Sequence, residues 1–585
     1  MPEYLAPGVY VEETSFRAKS IEGVGTSTTA FVGPTRKGPY RVDADAQETP
    51  ELLTSFGDFV RIYGGTADLA LSGGAANTNY LAHGALAFYN EGGSRLYVSR
   101  VVSATATAAT AAVTAAATPP ADSVAFNARF EGAAGNGTII VREVVSPGSA
   151  VTMGAALAGT LLRTGPDAAP VHHVKVGTTW HPAAAPGDPA ADAAALAGAT
   201  PRFVTLQLLA IDGDGDEMSW DELGFAPNHP RWVGNVLAVT PARRADHLQN
   251  AFSIAVGGSV TGIGLHTALF TGATANAAGQ LERRFTLTGG ADGAAPTAAE
   301  YALALGEIAA LEDVSIVAAP GAAAYADAQA INGALISQAE ARRAYRIAVL
   351  DTPPAQTPGQ VRTLRGLMDS IRAALYYPWV VVSNPNARAG RDDIPREIAL
   401  PPSSFVCGIY ARNDVQRGVY KAPANEVVRG ALRFEVDVNF GQQELLNPLG
   451  VNCLRLLSGR GYRVWGARLI SSDPEWKYVS DRRYFNYLEA SIDRGTQWAV
   501  FEPNGERLWA NIRQTISDFL YNEWRSGALL GTSVEEAFFV RCDRSTMTQN
   551  DLDNGRLVCL IGVAIIKPAE FVIFRIGQKT ADARA

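Results

Sequence analysis

The sequence predicts a multidomain protein of mixed α+β and α/β class: layered α/β core domains, a β-rich insertion, and extended strands toward both ends. Three observations carry this reading. β-rich runs alternate with helical periods over residues 28–101 and again from Arg283 to about residue 395, the pattern of repeated β-α units. Between residues 102 and 281 the chain becomes rich in Ala, Thr and Gly, and few long helical periods occur. The first 27 residues and residues 556–576 read as short extended pieces. At 585 residues the chain has length for roughly three or four cores.

Taken in order, Leu5 to Glu13 holds a Pro-Gly turn and then the β-rich run Val9, Tyr10, Val11 and Glu12. Ser27 to Gly33 reads as a short buried strand, Asn77 to Asn90 as a helix ended by Gly92-Gly93, and Arg95 to Val101 as a strand. After the insertion, Phe285 to Leu287 is expected as a strand and Thr297 to Glu312 as a helix, with Tyr301, Leu305 and Ile308 at helical spacing. A strand from Asp313, an Ala-rich helix, the strand Tyr345 to Asp351, a helix over 360–375 and the strand Trp379 to Ser383 follow. Pro401-Pro402 is expected to start a helix, Arg463 to Ile470 to form a strand, and Tyr484 to Ser491 a helix. Gly505 to Trp524 is the best periodic helix, with Leu508, Trp509, Ile512, Ile516, Phe519 and Leu520 on one face. Strands are expected at Val534 to Cys542, Arg556 to Ile566 and Phe571 to Ile576.

Composition excludes several classes. Fifty basic against 58 acidic side chains give a net charge of −8, which argues against a phosphate-coated surface and so against nucleic-acid binding. The longest strongly apolar run, Leu557 to Ile566, is too short to cross a bilayer, and no direct membrane insertion is expected. The start lacks a basic region followed by an apolar one, so a cytoplasmic product is expected. Cys407, Cys453, Cys542 and Cys559 form no CxxC pair and read as buried reduced thiols.

The motifs with chemical meaning fail at identifiable positions. Asp212-Gly-Asp-Gly-Asp-Glu opens like a calcium loop, but Glu217 and Leu223 occupy the places that need Gly and Glu. His172, His173 and His181 lie close in sequence without an HExxH or a cysteine partner, and read as ordinary strand or surface positions. Gly23-Val-Gly25 lacks the third small residue and the Lys-Ser/Thr of a phosphate loop, and Gly257-Gly-Ser259 lacks the closing glycine of a nucleophile elbow. No catalytic set, metal or cofactor is expected; a hydrolase on an α/β core would need convergent residues the sequence does not offer.

An ordered series of strings resembles the phage tail sheath family, including the sheaths of phage-tail-like contractile injection systems. Tyr4 to Glu13 resembles that family's N-terminal arm, and Thr28 to Gly33 the strand after it. Leu287 to Gly293, Tyr301 and Val317 to Gly321 fit its middle, and Asp221 to Gly224 with Asn228 to Arg231 is similar to the longer injection-system sheaths. The densest block runs from Pro401 through Gly408 to Asp414 and Arg417 to Asn425. It continues through Asn447-Pro448, Gly461 to Arg468, Phe501 to Asn504, Leu508-Trp509, Gly527 to Gly531 and Cys542-Asp543.

The resemblance implies a subunit that is assembled in the bacterial cytoplasm and then becomes part of a phage-tail-like particle. It would form hexameric rings stacked helically around an inner tube protein, bounded by baseplate and terminal cap proteins. It implies an N-terminal arm (1–27), a discontinuous middle α/β domain (28–101 plus 282–395), an outer insertion (102–281), an inner sheath domain (396–555) and C-terminal strands with a tail (556–585). Strands of the arm, Val9 to Glu12, and of the C-terminal region, Leu557, Val558, Cys559, Leu560, Ile561 and Val563, would add to sheets of neighbouring subunits. Arg507, Arg513 and Arg525 are the expected contacts to the inner tube. The alternative is another self-assembling shell or surface-lattice protein.

Overall fold

The computed structural model describes residues 20–41, 48–74, 77–114, 123–166, 169–183 and 190–576. Its centre is a nine-stranded sheet. Six strands run parallel in the order Leu96–Arg100, Thr29–Gly33, Ile316–Ala318, Ile347–Asp351, Ala373–Tyr377 and Val451–Leu457. Short antiparallel strands close both margins: Leu52–Leu53 at one side, Gly461–Val464 and then Glu426–Val427 at the other. Thr29–Gly33, Ile347–Asp351 and Ala373–Tyr377 are buried along their whole length, as a parallel sheet covered on both faces requires. The helices Tyr80–Glu91 and Pro402–Arg417 cover one face, and Ala298–Ala309 with Ala328–Glu340 the other. The sheet takes in Val451–Leu457, so this layer draws on residues beyond 395 that were expected to belong to the next domain.

Two long-range contacts fix the covering pair of helices. Gly408 lies so close to the Tyr80–Glu91 helix that a Cβ there would stand 2.5 Å from the Phe88 carbonyl oxygen. Arg412, one turn further on, reaches the buried carboxylate of Glu91 and also donates to its carbonyl oxygen at 2.8 Å.

The region after residue 102 is β-rich, as expected. Thr138–Pro147, Arg202–Ile211, Leu161–Thr164, Val171–Val176 and Thr179–Pro182 are consecutive neighbours in an eight-stranded sheet, which Leu281–Thr286 extends on the far side of Thr138–Pro147. A three-stranded sheet (Thr110–Ala112, Val124–Ala128, Phe252–Val256) shares the same core, and Gly262–Phe270 is the helix laid upon it. The acidic loop rejected as a calcium site has a structural task. Lys37 Nζ meets Asp212 at 2.9 Å and Asp216 at 3.1 Å, while Arg36 pairs with Asp214, so the loop clasps the segment after Thr29–Gly33.

Several local expectations are corrected. The strand expected at 463–470 stops at Val464, because the Asn452 side chain replaces the ladder: it accepts from Arg468 N at 2.6 Å and donates to Arg468 O at 2.7 Å. The helix expected over 360–375 ends at Arg365, and Ala373–Tyr377 is already sheet. The strand expected from Val534 begins as a helical turn, Val534–Ala537, before Phe538–Arg541. All four cysteines are thiols; Cys407, Cys453 and Cys542 are buried and Cys559 half-buried. Among the described residues, no helix is long and apolar enough to cross a membrane.

Candidate assembly surface

The last third of the chain builds its own small core around two helices, Val479–Gly495 and Glu506–Arg525. The second buries Leu508, Trp509, Ile512, Ile516, Phe519 and Leu520, the six residues its sequence period singles out. At about 100° per residue, Arg507 and Arg525 are separated by five full turns, share one azimuth and stand about 27 Å apart, directly opposite the buried stripe. Asn511, Gln514 and Asp518 lie on the same exposed face, with Gln514 donating to Asp518 at 2.7 Å. Arg513, although exposed, is about 120° away from that azimuth. Its charge acts on Asp543, which hydrogen bonds from Ser545 chiefly, and Arg513 and Arg541 in addition, hold below the usual carboxylate range. The three arginines therefore do not form one stripe.

Against this core lies a two-stranded antiparallel sheet, Phe538–Arg541 with Leu560–Val563. Residues 557–563, the expected C-terminal intersubunit strand, are engaged within their own chain along one side. Leu557, Val558 and Cys559 pack on the core of their own chain, and Leu560, Ile561 and Val563 are already paired along one edge with Arg541, Val540 and Phe538. Among the described residues no third strand joins this pair, apart from a single bridge between Leu529 and Ile565. An isolated two-stranded sheet is marginal in water.

What lies outside the fold is the stretch after it. Phe571, Val572, Ile573, Phe574 and Ile576 are 68–96% exposed and belong to no strand, although the sequence reads as one. Their root is tied down. Glu570 accepts from Arg468 at 2.7 Å, Tyr478 at 2.8 Å and Asn447 at 2.8 Å. Burial alone would raise the Glu570 pKa; donation from Arg468, Asn447 and Tyr478 outweighs it and brings the value down to about 2. A lowered carboxylate pKa stabilises the fold above the unfolded value of 4.5, and that contribution is lost as pH falls toward 2. Glu570→Gln is expected to lower stability by about 2 kcal/mol at pH 7 and to remove this pH dependence below pH ~4.5, read from denaturation at pH 7 and pH 3.

At the other end, Val9, Tyr10, Val11 and Glu12 lie outside the described residues. The residues that follow are fastened to the same C-terminal core and to the Pro402–Arg417 helix beside it. Ile21 is buried in it, Val24 N donates to Ser491 at 3.1 Å, and Thr26 donates to Asp414 at 2.6 Å.

The clustered histidines do not converge on one another. His173 meets Thr164 at 3.1 Å and His181 meets Thr179 at 3.2 Å. His172 instead faces His266 with ring centroids 5.0 Å apart, and burial, then the neighbouring His266, pushes its pKa down to about 4. A partner 94 positions away left no trace in local spacing.

Two family descriptions match the chain: "Phage tail sheath protein central domain" over residues 294–468 and "Phage tail sheath C-terminal domain" over 471–579. A putative prophage major tail sheath protein of Pseudomonas aeruginosa is 27% identical over 267 residues, 45% of this chain; the chain spans 64% of that relative's length. The sheath of the anti-feeding prophage in its contracted state aligns over 99% of this chain and 100% of its own, with a TM-score of 0.53 and 20% identity. The PVC sheath complex, an extracellular contractile injection system in its contracted state, aligns over 99% of both chains with a TM-score of 0.52 and 18% identity. These two likenesses are likenesses of fold.

Proposed function

Since two phage tail sheath domain descriptions match residues 294–468 and 471–579, we propose that this chain is a member of the phage tail sheath family and the structural subunit of a contractile tail or injection-system sheath. Subunits stack as six-membered rings around an inner tube, bounded by a baseplate and a terminal cap. The sheath drives the tube by passing from a metastable extended state to a contracted one. Its energy is stored at assembly, so contraction needs no nucleotide and no catalytic residue of its own. Head-to-tail contacts between successive rings do not close on themselves and generate helical tubes.

The observation that carries the reading is the pairing of a donor with an acceptor that its own fold leaves incomplete. The exposed run Phe571 to Ile576 has the sequence of a strand but no sheet to join, and Phe538–Arg541 with Leu560–Val563 is a sheet two strands wide. Added to an edge of that pair in a neighbour, the run gains main-chain hydrogen bonds that survive rotation of the attached bodies. Val9 to Glu12 of another neighbour supplies the second donor. The intersubunit strand assigned from sequence to 557–563 thus becomes the receiving edge.

For the tube-facing element we retain Arg507 and Arg525, at the two ends of one exposed helix face. Solvated charge is weak and detachable, which suits a surface that must release a sliding tube. Arg513, on the flank and beside Asp543, drops out of the assignment.

Purified protein imaged by electron microscopy is expected to form hollow striated tubes; flat lattices or closed shells would instead identify a surface-layer or capsid-like protein. The R507E/R525E variant is expected to form such tubes alone but fail to assemble on purified inner tube. Undiminished decoration of the tube would remove the two arginines from the interface.

A further inference from the structure

The insertion contains a cluster that neither the family nor polymerisation explains. Glu143 on Thr138–Pro147, His172 on Val171–Val176 and His266 on the Gly262–Phe270 helix come together, though 123 positions separate the first from the last. Sheet register explains how. Glu143 stands opposite Leu206, Arg202 stands opposite Arg163, and Arg163 stands opposite His172. Leu206 and Arg202 are an even number of residues apart, so Glu143, Arg163 and His172 share one face of the sheet. That is the face on which the helix carrying His266 lies.

The three side chains bring one carboxylate oxygen and two imidazole nitrogens within 4.8 Å of one another. His266 Nε2 is 3.0 Å from Glu143 Oε1. Glu143 is 3% exposed and His266 8%, and Phe225 and Phe270 flank the His266 ring with centroids 5.2 and 5.1 Å away. His172 Nε2 is buried and has no hydrogen-bond partner among the described residues. Buried polar atoms are almost always satisfied. Here the unpartnered imidazole nitrogen stands beside a second imidazole and a carboxylate, three donors close enough to share one ion.

We propose that Glu143, His172 and His266 bind one divalent ion of zinc-like chemistry. Bonds of about 2.0–2.2 Å at tetrahedral angles put neighbouring donor atoms roughly 3.3–3.5 Å apart. The Glu143–His266 spacing is already close to this, and a small rotation of His172 closes the rest. Two nitrogens and one oxygen suit zinc, cobalt or nickel, and are a poor set for calcium or magnesium, which take oxygen ligands. Arg163 Nη1 holds the other Glu143 oxygen at 3.2 Å and would orient the carboxylate from outside the ligand set. The ion would fasten the helix to two strands of the sheet.

The full chain, stripped with chelator, is titrated with zinc chloride by calorimetry and with cobalt chloride by visible absorption. Saturable binding of one equivalent, a cobalt spectrum of a four-coordinate N/O site and a raised Tm with zinc are expected. H172Q, at a partly exposed position, is expected to weaken zinc binding by more than about 100-fold with its metal-free Tm unchanged, and R163Q by about 10- to 100-fold. H181Q serves as the control that binds normally. Absence of one-equivalent uptake by the wild type, or zinc binding by H172Q as tight as wild type, overturns the proposal.

Discussion

Deletion of Phe571–Ile576 is expected to leave a folded chain that no longer polymerises. All six side chains of this run are exposed, so removing it takes no packing from the fold. In an assembled sheet, alternate residues face opposite sides, which puts Val572, Phe574 and Ile576 together as an apolar face and Phe571, Ile573 and Arg575 on the other. Burying three large apolar side chains contributes on the order of 5–9 kcal/mol. Ordering six residues costs about 1–2 kcal/mol each, so burial roughly offsets the entropy and the new main-chain hydrogen bonds tip the balance. An association so balanced should fail on a single charge at its centre. F574D alone is therefore expected to abolish tubes, whereas I573D, on the mixed face, should weaken them less. Light scattering after size exclusion, with circular dichroism to verify folding, measures both. Tubes of normal length from the truncated chain would sink the donor assignment.

The largest effect on the fold itself is expected at Arg412. Its side chain and that of Glu91 are 7% and 0% exposed, and they join two helices 321 positions apart in sequence. Arg412→Ala would strand a carboxylate in the core, at a cost of about 3–5 kcal/mol. Glu91 also accepts from Arg429 N, and Arg412 Nη2 donates to Val427 O at 2.8 Å, so each partner has further bonds to lose. The double replacement E91L/R412L, which removes both charges and retains volume, is expected to cost far less than either single change. Urea denaturation of the wild type, E91L, R412L and E91L/R412L gives the coupling directly. A loss below about 1 kcal/mol for Arg412→Ala would mean that water reaches the pair.

How much of this was legible in the sequence depended on range. The Glu506–Arg525 helix was readable almost to the residue, because its six buried positions repeat at helical spacing inside one segment. The buried strands Thr29–Gly33 and Ile347–Asp351 were readable because continuous β-branched and apolar runs have few other uses. The azimuth of Arg513 is also a matter of counting turns along that one segment. Arg463 to Ile470 misled because alternation continues past Val464, while the decision to leave the ladder belongs to Asn452, a residue outside the run. The Glu143–His172–His266 cluster and the Glu91–Arg412 pair were beyond reach, since only sheet register and helix docking bring their members together. Phe571 to Ile576 is a different case. The sequence reads as a strand and the structure forms none there, because a sequence does not say whether a strand's partner lies in the same molecule.

The clasp between Arg36, Lys37 and the loop at Asp212, Asp214 and Asp216 has a mechanical consequence. A body joined to its base only where the chain enters and leaves it can swing about the line between those two points, like a gate on hinges. The clasp is a foot away from that line, as is the place where Arg244 meets Glu51 at 3.0 Å and Thr49 O at 2.8 Å. Lys37 carries two of the clasp's bonds and sits seven-eighths out of solvent, so the foot is not one that salt readily dissolves. A body so footed does not swing. When the base turns, the insertion must turn with it through the same angle, and torque applied to either is delivered to the other without slack.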